Sequence, residues 1–72
     1  MKCEIVTITT PFIKLDALLK FCGAAQTGGH AKVMILQNEV TVDGQVCTQR
    51  GRKITPGMTV CVNEISYEVQ AG

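Results

Sequence analysis

The chain has 72 residues, of which 46% are hydrophobic and 18% charged, and its formal net charge is +1. This length excludes a two-domain architecture, and the apolar content excludes a disordered chain or a fibrous repeat. The aromatic residues are Phe12, Phe21 and Tyr67, so we do not expect an aromatic platform on which bases would stack.

Two features of the sequence speak against export and membrane insertion. The longest aliphatic run, residues 33–36, is much shorter than the roughly 18 apolar residues that a membrane helix needs. Glu4 interrupts the apolar character near the start, and no small-residue cleavage site precedes Pro11. We therefore expect a cytoplasmic protein that does not associate with a membrane.

The four cysteines are Cys3, Cys22, Cys47 and Cys61. In a secreted chain they would allow three disulfide pairings, but without an export signal we expect reduced thiols. The sequence has no CxxC pair, and His30 does not complete a familiar zinc-binding spacing with the cysteines. Structural or incidental thiols are therefore expected, with no metal ion and no cofactor. A thiol-dependent metal or redox protein remains an alternative.

Residues 2–9 are rich in β-branched side chains and precede Pro11, which predicts a strand at the edge of a sheet. An apolar stripe with helical spacing follows, formed by Leu15, Leu18, Leu19 and Cys22. It predicts a helix of about two turns that ends at Gly23, with Asp16 near the positive end of the helix dipole.

A second helix is predicted to begin after Thr27, whose side chain can cap the first turn. Its apolar positions are Ala31, Met34 and Ile35. We expect the helix to end at Asn38, because asparagine tolerates the left-handed conformation found just past a helix end.

Further strands are predicted at residues 40–42, 45–47, 59–62 and 65–69. The Asp43-Gly44 dipeptide joins the first two of them in a hairpin, and Pro56-Gly57 forms another turn. The order of one strand, two helices and then several strands indicates an α+β fold. We expect the two helices to pack on a small antiparallel sheet.

The charges are unevenly distributed along the chain. Residues 14–32 carry a net charge of +2, and the loop Arg50-Gly51-Arg52-Lys53 adds +3, whereas the remaining residues sum to −4. If the helix pair and the loop adjoin in space, they form a basic face suited to a polyanion. The alternative is a set of solvated lysines and a solubilising loop.

The predicted start of the second helix contains two glycines, although each costs close to 1 kcal/mol of helix stability relative to alanine. Glycines at this position would let a phosphate approach the free N–H groups of Gly28 and Gly29. Thr27 could offer its hydroxyl, Lys32 its charge, and His30 a hydrogen bond to phosphate or ribose. The alternative is that the glycines ease a tight turn between the helices.

The sequence gives little support for catalysis. It has one histidine, His30, and one serine, Ser66, which falls in a predicted strand. Asp16 and Asp43 are accounted for by the helix start and the turn. A Cys–His dyad would lack an orienting third group, so we do not expect an enzyme.

Several of these segments together resemble the S-four RNA-binding domain family, also called the αL motif. The resemblance is carried by Lys14-Leu15-Asp16, Thr27-Gly28 with Ala31-Lys32, and Val40-Thr41-Val42-Asp43-Gly44, and it runs from Lys14 to about Val62. Gly28 stands where the family usually has arginine, Asp43 where it has asparagine, and Asn38 where it has glycine. The basic loop and the Thr-Gly-Gly start are similar to those of a small stand-alone bacterial subgroup.

The resemblance implies a single domain over residues 1–72 that binds structured RNA, ribosomal or transfer RNA, through its backbone and shape. We expect a monomeric, non-catalytic module that could act on the ribosome. The candidate RNA-binding residues are Lys14, Lys20, Thr27, Gly28, Gly29, His30, Lys32, Arg50, Arg52 and Lys53. The competing hypothesis is a protein-interaction or assembly module without direct RNA contact, which would use the acidic strands and the edge at residues 2–9.

Overall fold

Two helices pack on one face of a five-stranded sheet in the computed structural model, which describes residues 2–72. The elements in chain order are β1 (Lys2–Ile8), β2 (Ile13–Lys14), α1 (Leu15–Phe21), α2 (Gly28–Leu36), β3 (Thr41–Val42), β4 (Gln45–Val46), β5 (Lys53–Ile54), β6 (Thr59–Val62) and β7 (Ile65–Ala71). The α+β prediction is confirmed. Within residues 2–72 neither helix is long and apolar enough to cross a membrane.

The main sheet has the strand order β1-β7-β6-β3-β4. Its pairings are antiparallel except that β1 runs parallel to β7, with Lys2 opposite Ile65 and Ile8 opposite Ala71. The sheet is therefore mixed, and the prediction of a purely antiparallel sheet is wrong. The reason is topological: α1 and α2 carry the chain away from β1, so the last strand returns beside the first in the same direction.

The core forms between the inner face of the sheet and the two helices. Alternate strand residues point inward, and the helices contribute their apolar stripes, as period-2 and period-3.6 patterns require. The buried residues of the strands include Val6, Ile8, Val60, Val62, Tyr67 and Val69, and those of the helices are Leu15, Leu18, Leu19, Ala31, Met34 and Ile35. All belong to one cluster, so the helix pair has a fixed position on the sheet.

The predicted helix ends and turns are present. Gly23 follows α1 with φ 83°, and Asn38 follows α2 with φ 62°, which is the left-handed conformation that stops a helix. Asp43 and Gly44 both have positive φ, 51° and 85°, as a two-residue hairpin turn requires.

A second, two-stranded sheet was not predicted. It consists of β2 and β5, which pair antiparallel with Ile13 opposite Ile54 and Lys14 opposite Lys53. Ile54 is fully buried. This ladder joins the segment before α1 to the basic loop. The paired residues Lys14 and Lys53 are 39 positions apart in the sequence.

Candidate nucleic-acid interface

Four cationic residues gather at the start of α1, and we call them the basic cluster: Lys14, Arg50, Arg52 and Lys53. The β2–β5 ladder places Lys14 directly opposite Lys53. Like charges at opposed positions of a ladder destabilise it, and all four side chains are exposed. The fold thus holds positive charges together in a way that an anionic ligand would relieve.

The backbone of the basic loop caps α1. The first residue before this helix, Lys14, provides no side-chain cap. Instead the Leu15 N–H donates to the Arg52 carbonyl at 2.9 Å, and the Asp16 N–H donates to the Arg50 carbonyl at 3.1 Å. Two N–H groups that every helix start leaves unpaired are satisfied in this way. The main chain of the loop is therefore fixed while its side chains remain free to bind.

Phe12 orders one member of the basic cluster. The Lys53 ammonium lies 4.8 Å from the centre of the Phe12 ring, within the range of a cation–π interaction. The sequence analysis did not single out Phe12. The contact depends on the β2–β5 ladder, and two-residue strands leave no periodic pattern from which it could be predicted.

The start of α2 exposes two unpaired backbone donors. The Thr27 Oγ1 accepts a hydrogen bond from the His30 N–H at 3.0 Å, and the Thr27 carbonyl accepts from the Ala31 N–H at 3.0 Å. Within residues 2–72 the N–H groups of Gly28 and Gly29 have no hydrogen-bond partner. Thr27 caps the helix as predicted, and this leaves the two glycine amides as its free donors.

The fold does not require glycine at these two positions. A Cβ atom at Gly28 would meet nothing within 4 Å outside its own helical turn, and one at Gly29 would meet Thr27 Oγ1 at 3.9 Å. Neither glycine has a positive φ. The tight-turn alternative therefore finds no support in the backbone, whereas close approach of a ligand would explain the absence of side chains.

His30 is hydrogen-bonded through one ring nitrogen. Its Nδ1 accepts from the Gln26 N–H at 3.3 Å, so the network assigns the proton to Nε2. The side chain is exposed. His30 thus presents an Nε2–H donor at the start of α2. The Thr27 Oγ1 accepts the capping bond, and its hydroxyl hydrogen, the part of the predicted hydroxyl that can donate to a ligand, stays free among residues 2–72.

The remaining two candidates lie on the helices. Lys20 is exposed in the last turn of α1, and Lys32 is exposed on α2. Within residues 2–72 no hydrogen bond joins the basic cluster to the start of α2. The two groups are related through the packing of α1 against α2.

The four cysteines are free thiols. Burial is the main cause that raises the pKa of the half-buried Cys22 thiol, and it also raises the pKa of the neighbouring Tyr67 hydroxyl. Both groups are therefore held in the neutral form, which is a poor nucleophile and a poor metal ligand. Residues 2–72 contain no group of three or more His, Cys, Asp or Glu side chains that could hold a metal ion.

Comparisons with known proteins agree with this geometry. A family model described as "S4 domain" matches residues 6–70. The "Putative RNA-binding protein YbcJ" of Escherichia coli (strain K12) is 39% identical over 61 residues, which cover 85% of this chain and 87% of that protein. The "Probable ribosome maturation protein RlbA" of Bacillus subtilis (strain 168) is 36% identical over 55 residues, covering 76% and 78%.

A solved structure shares the fold. It is the solution structure of YbcJ from E. coli, described as revealing an αL motif involved in RNA binding. It matches with a TM-score of 0.71 and 35% sequence identity, over 93% of this chain and 86% of that chain. The predicted two-helix αL motif is therefore confirmed.

Proposed function

We propose, because this chain belongs to the S4 domain family, that it is a non-catalytic module that binds structured RNA and spans residues 1–72 as a single domain. The names of the relatives point to RNA binding and to ribosome maturation. The finer proposal is that ribosomal or transfer RNA contacts one basic face, and that the protein acts in the cytoplasm as a monomer, at the ribosome or on its RNA.

The observation that carries the proposal is the way the loop of the basic cluster is held. Because the carbonyls of Arg50 and Arg52 cap α1, both guanidinium groups project from a fixed main chain beside Lys14 and Lys53. Arginine can engage two phosphate oxygens at once through its planar fork. Because the main chain of the loop is already held, binding would lose less loop entropy than it would with a mobile loop.

The start of α2 would supply the second half of the interface. The unpaired N–H groups of Gly28 and Gly29 carry the partial positive charge of a helix N-terminus, which favours phosphate. His30 Nε2 and the Thr27 hydroxyl hydrogen are donors suited to phosphate or a ribose 2′-hydroxyl. Lys20 and Lys32 add longer-range attraction.

This chemistry favours recognition of RNA shape over sequence. A-form RNA hides base edges in a deep, narrow groove and presents phosphates and 2′-hydroxyls across a shallow one. The candidate residues are donors and cations without an exposed stack of aromatic rings. We therefore propose binding with low sequence specificity.

The salt dependence of RNA affinity tests the proposal. If about three to five phosphates are neutralised, the logarithm of the association constant should fall with the logarithm of salt concentration with a slope of roughly −2 to −4. Fluorescence anisotropy with a labelled ribosomal RNA hairpin and with a transfer RNA measures it. Lys2→Ala, a change outside the basic cluster, is the control and should leave the slope unchanged. An affinity independent of salt would contradict the proposal.

A further inference from the structure

The outer edge of β1 is unpaired. The Lys2 N–H donates to the Glu64 carbonyl, and the Gly72 N–H donates to the Ile8 carbonyl. In the parallel ladder these bonds show which residues of β1 turn their backbone N–H and carbonyl groups toward β7, namely the even-numbered residues from 2 to 8. The N–H and carbonyl groups of Cys3, Ile5 and Thr7 therefore point away from β7. Among residues 2–72 no strand covers that side.

A groove runs beside this edge. One depression, of about 500 Å³, is lined by Glu4, Thr7, Phe21 and Tyr67 among others. A second, of about 290 Å³, continues past Thr7 toward Ile13 and shares Phe21 as a wall. Two exposed apolar side chains frame them, since Ile5 is 62% and Phe21 63% exposed. An unpaired strand beside a groove that can take alternate side chains is the structural requirement for adding a strand from another chain.

The charges of the groove specify the chemistry of its occupant. Glu4 is the carboxylate of the lining, beside the Cys22 thiol and the Tyr67 hydroxyl, whose pKa values burial raises. Lys2 lies two positions before Glu4 on the same face of β1 but does not line the groove. The groove thus has apolar walls and one carboxylate, which complements a segment that carries two apolar side chains and one basic side chain on the same face.

We propose that the free edge of β1 and the adjoining groove bind an extended, basic segment of a partner protein, which adds a sixth strand to the sheet. The segment would exchange hydrogen bonds with the backbone of Cys3, Ile5 and Thr7. Side chains two positions apart lie on one face of a strand, about 6.7 Å from each other. Two apolar side chains so spaced would enter the two depressions, and a lysine or arginine two positions before them would face Glu4.

Two other occupants fit the surface less well. A second copy of this chain would bring its own Glu4 to the carboxylate of the groove, and like charges across an interface oppose association. RNA would meet the same carboxylate with its phosphates. The inference is independent of RNA binding, because none of the proposed RNA-binding residues lines the groove.

A designed peptide provides the probe. In acetyl-Lys-Thr-Ile-Thr-Val-Thr-amide the lysine, isoleucine and valine share one face of the strand. Its control has the same composition in the order Thr-Thr-Lys-Ile-Val-Thr, which breaks the alternation. The full-length chain, labelled with ¹⁵N, is titrated with each peptide while amide chemical shifts and hydrogen exchange are followed. We expect the alternating peptide to shift and protect the amides of Cys3, Ile5 and Thr7.

Two variants separate edge pairing from unspecific contact. Ile5→Pro removes an N–H that points away from β7, so it costs no bond within the sheet but blocks an added strand. Phe21→Ala removes the wall of the groove from a largely exposed position and is expected to fold normally. Val33→Ala, which truncates a half-exposed apolar residue on α2, is the matched control.

The expected results are specific to this edge. Ile5→Pro should abolish peptide binding, Phe21→Ala should weaken it at least about fivefold, as loss of an aromatic anchor does, and Val33→Ala should not change it. All three should keep the RNA affinity of the parent chain. Peptide affinity that is the same in the parent, Ile5→Pro and Phe21→Ala chains would overturn the inference. So would shifts confined to α2, or a dimer in sedimentation that Ile5→Pro dissolves.

Discussion

At the scale of single residues, Gly28 and Gly29 occupy helical positions at which the fold does not require glycine. Both adopt helical backbone conformations that alanine would adopt as well, and a Cβ atom would find open space. Glycine at a helical position weakens the folded state because it loses more backbone freedom on folding. The bare surface above their N–H groups is what glycine provides, and a phosphate could occupy it.

The double variant Gly28→Ala, Gly29→Ala should therefore separate folding from binding. We expect each substitution to raise the free energy of unfolding by about 0.4–1 kcal/mol through the lower entropy of the unfolded chain. RNA affinity should fall, because two methyl groups stand where a phosphate would approach. Urea unfolding and anisotropy on the same preparations measure both effects. A variant that is more stable and binds RNA as tightly as the parent would remove α2 from the interface.

A second prediction at this scale concerns Cys22 and alkaline pH. Burial raises the pKa of its thiol above the usual value of 9.0, so in the folded chain the neutral form is favoured. The unfolded chain releases this proton first as pH rises above 9, and stability that is fully present at lower pH is then lost. Cys22→Ser should reduce the loss of stability between about pH 8 and about pH 10.

Urea unfolding over that pH range measures the effect of Cys22→Ser. Cys3→Ser, which changes the exposed thiol of β1, is the control and should leave the pH profile as it is in the parent chain. Tyr67, whose pKa is also raised, accounts for a remaining loss at higher pH. Identical profiles for the parent and Cys22→Ser would contradict the assignment.

At the scale of secondary-structure elements, the β2–β5 ladder organises the candidate interface. It places Lys14 opposite Lys53 and brings the loop close enough for its carbonyls to cap α1. The caps are formed by the backbone carbonyls of Arg50 and Arg52, and the side chains of these residues take no part in them. The positions of the charges therefore depend on backbone contacts that alanine substitutions preserve.

The triple variant Arg50→Ala, Arg52→Ala, Lys53→Ala tests this division. We expect its free energy of unfolding to stay within about 0.5 kcal/mol of the parent, as for most exposed substitutions. Removing the repulsion between Lys14 and Lys53 raises the free energy of unfolding, whereas losing the contact between Lys53 and Phe12 lowers it. If all three side chains contact phosphates, the salt slope of RNA binding should become shallower by roughly 2 to 3 units, since each removed cation accounts for about 0.7–0.9. An unchanged slope in a folded variant would exclude the loop from the interface.

Most elements are predictable from the sequence because their signals are local. The stripe from Leu15 to Leu19, the cap at Thr27 and the turn residues at 43–44 each act within a few positions, and the structure has the predicted helices and hairpin there. Strand β7 extends to Ala71, beyond the predicted end at residue 69. The parallel pairing of β1 with β7 was missed because it joins the first and last strands, and a hydrophobic pattern does not record strand direction.

The composition of the site was accessible from the sequence, but its arrangement was not. Residue type and helix position were enough to select Gly28, Gly29 and the loop at 50–53 as candidates. The contact between Phe12 and Lys53, and the opposition of Lys14 to Lys53, arise from a ladder of two residues per strand. Such a ladder is too short to show a period, and it forms because Ile54 is buried in the core.

At the scale of the whole molecule, two surfaces with different charges occupy one small domain. The basic cluster and the start of α2 carry cations and unpaired N–H groups. The groove at the edge of β1 carries apolar side chains and the carboxylate of Glu4. The proposed RNA contacts and the proposed protein segment therefore use separate surfaces of the domain.

The central claim is that the basic cluster and the start of α2 form a single RNA-binding surface. Titration of the ¹⁵N-labelled chain with an RNA hairpin, followed through its amide chemical shifts, tests it most directly. We predict that the amides of Gly28, Gly29 and residues 50–53 shift together and saturate at the same RNA concentration, while those of β1 stay in place. Shifts confined to one of the two groups, or to β1 and β7, would contradict it.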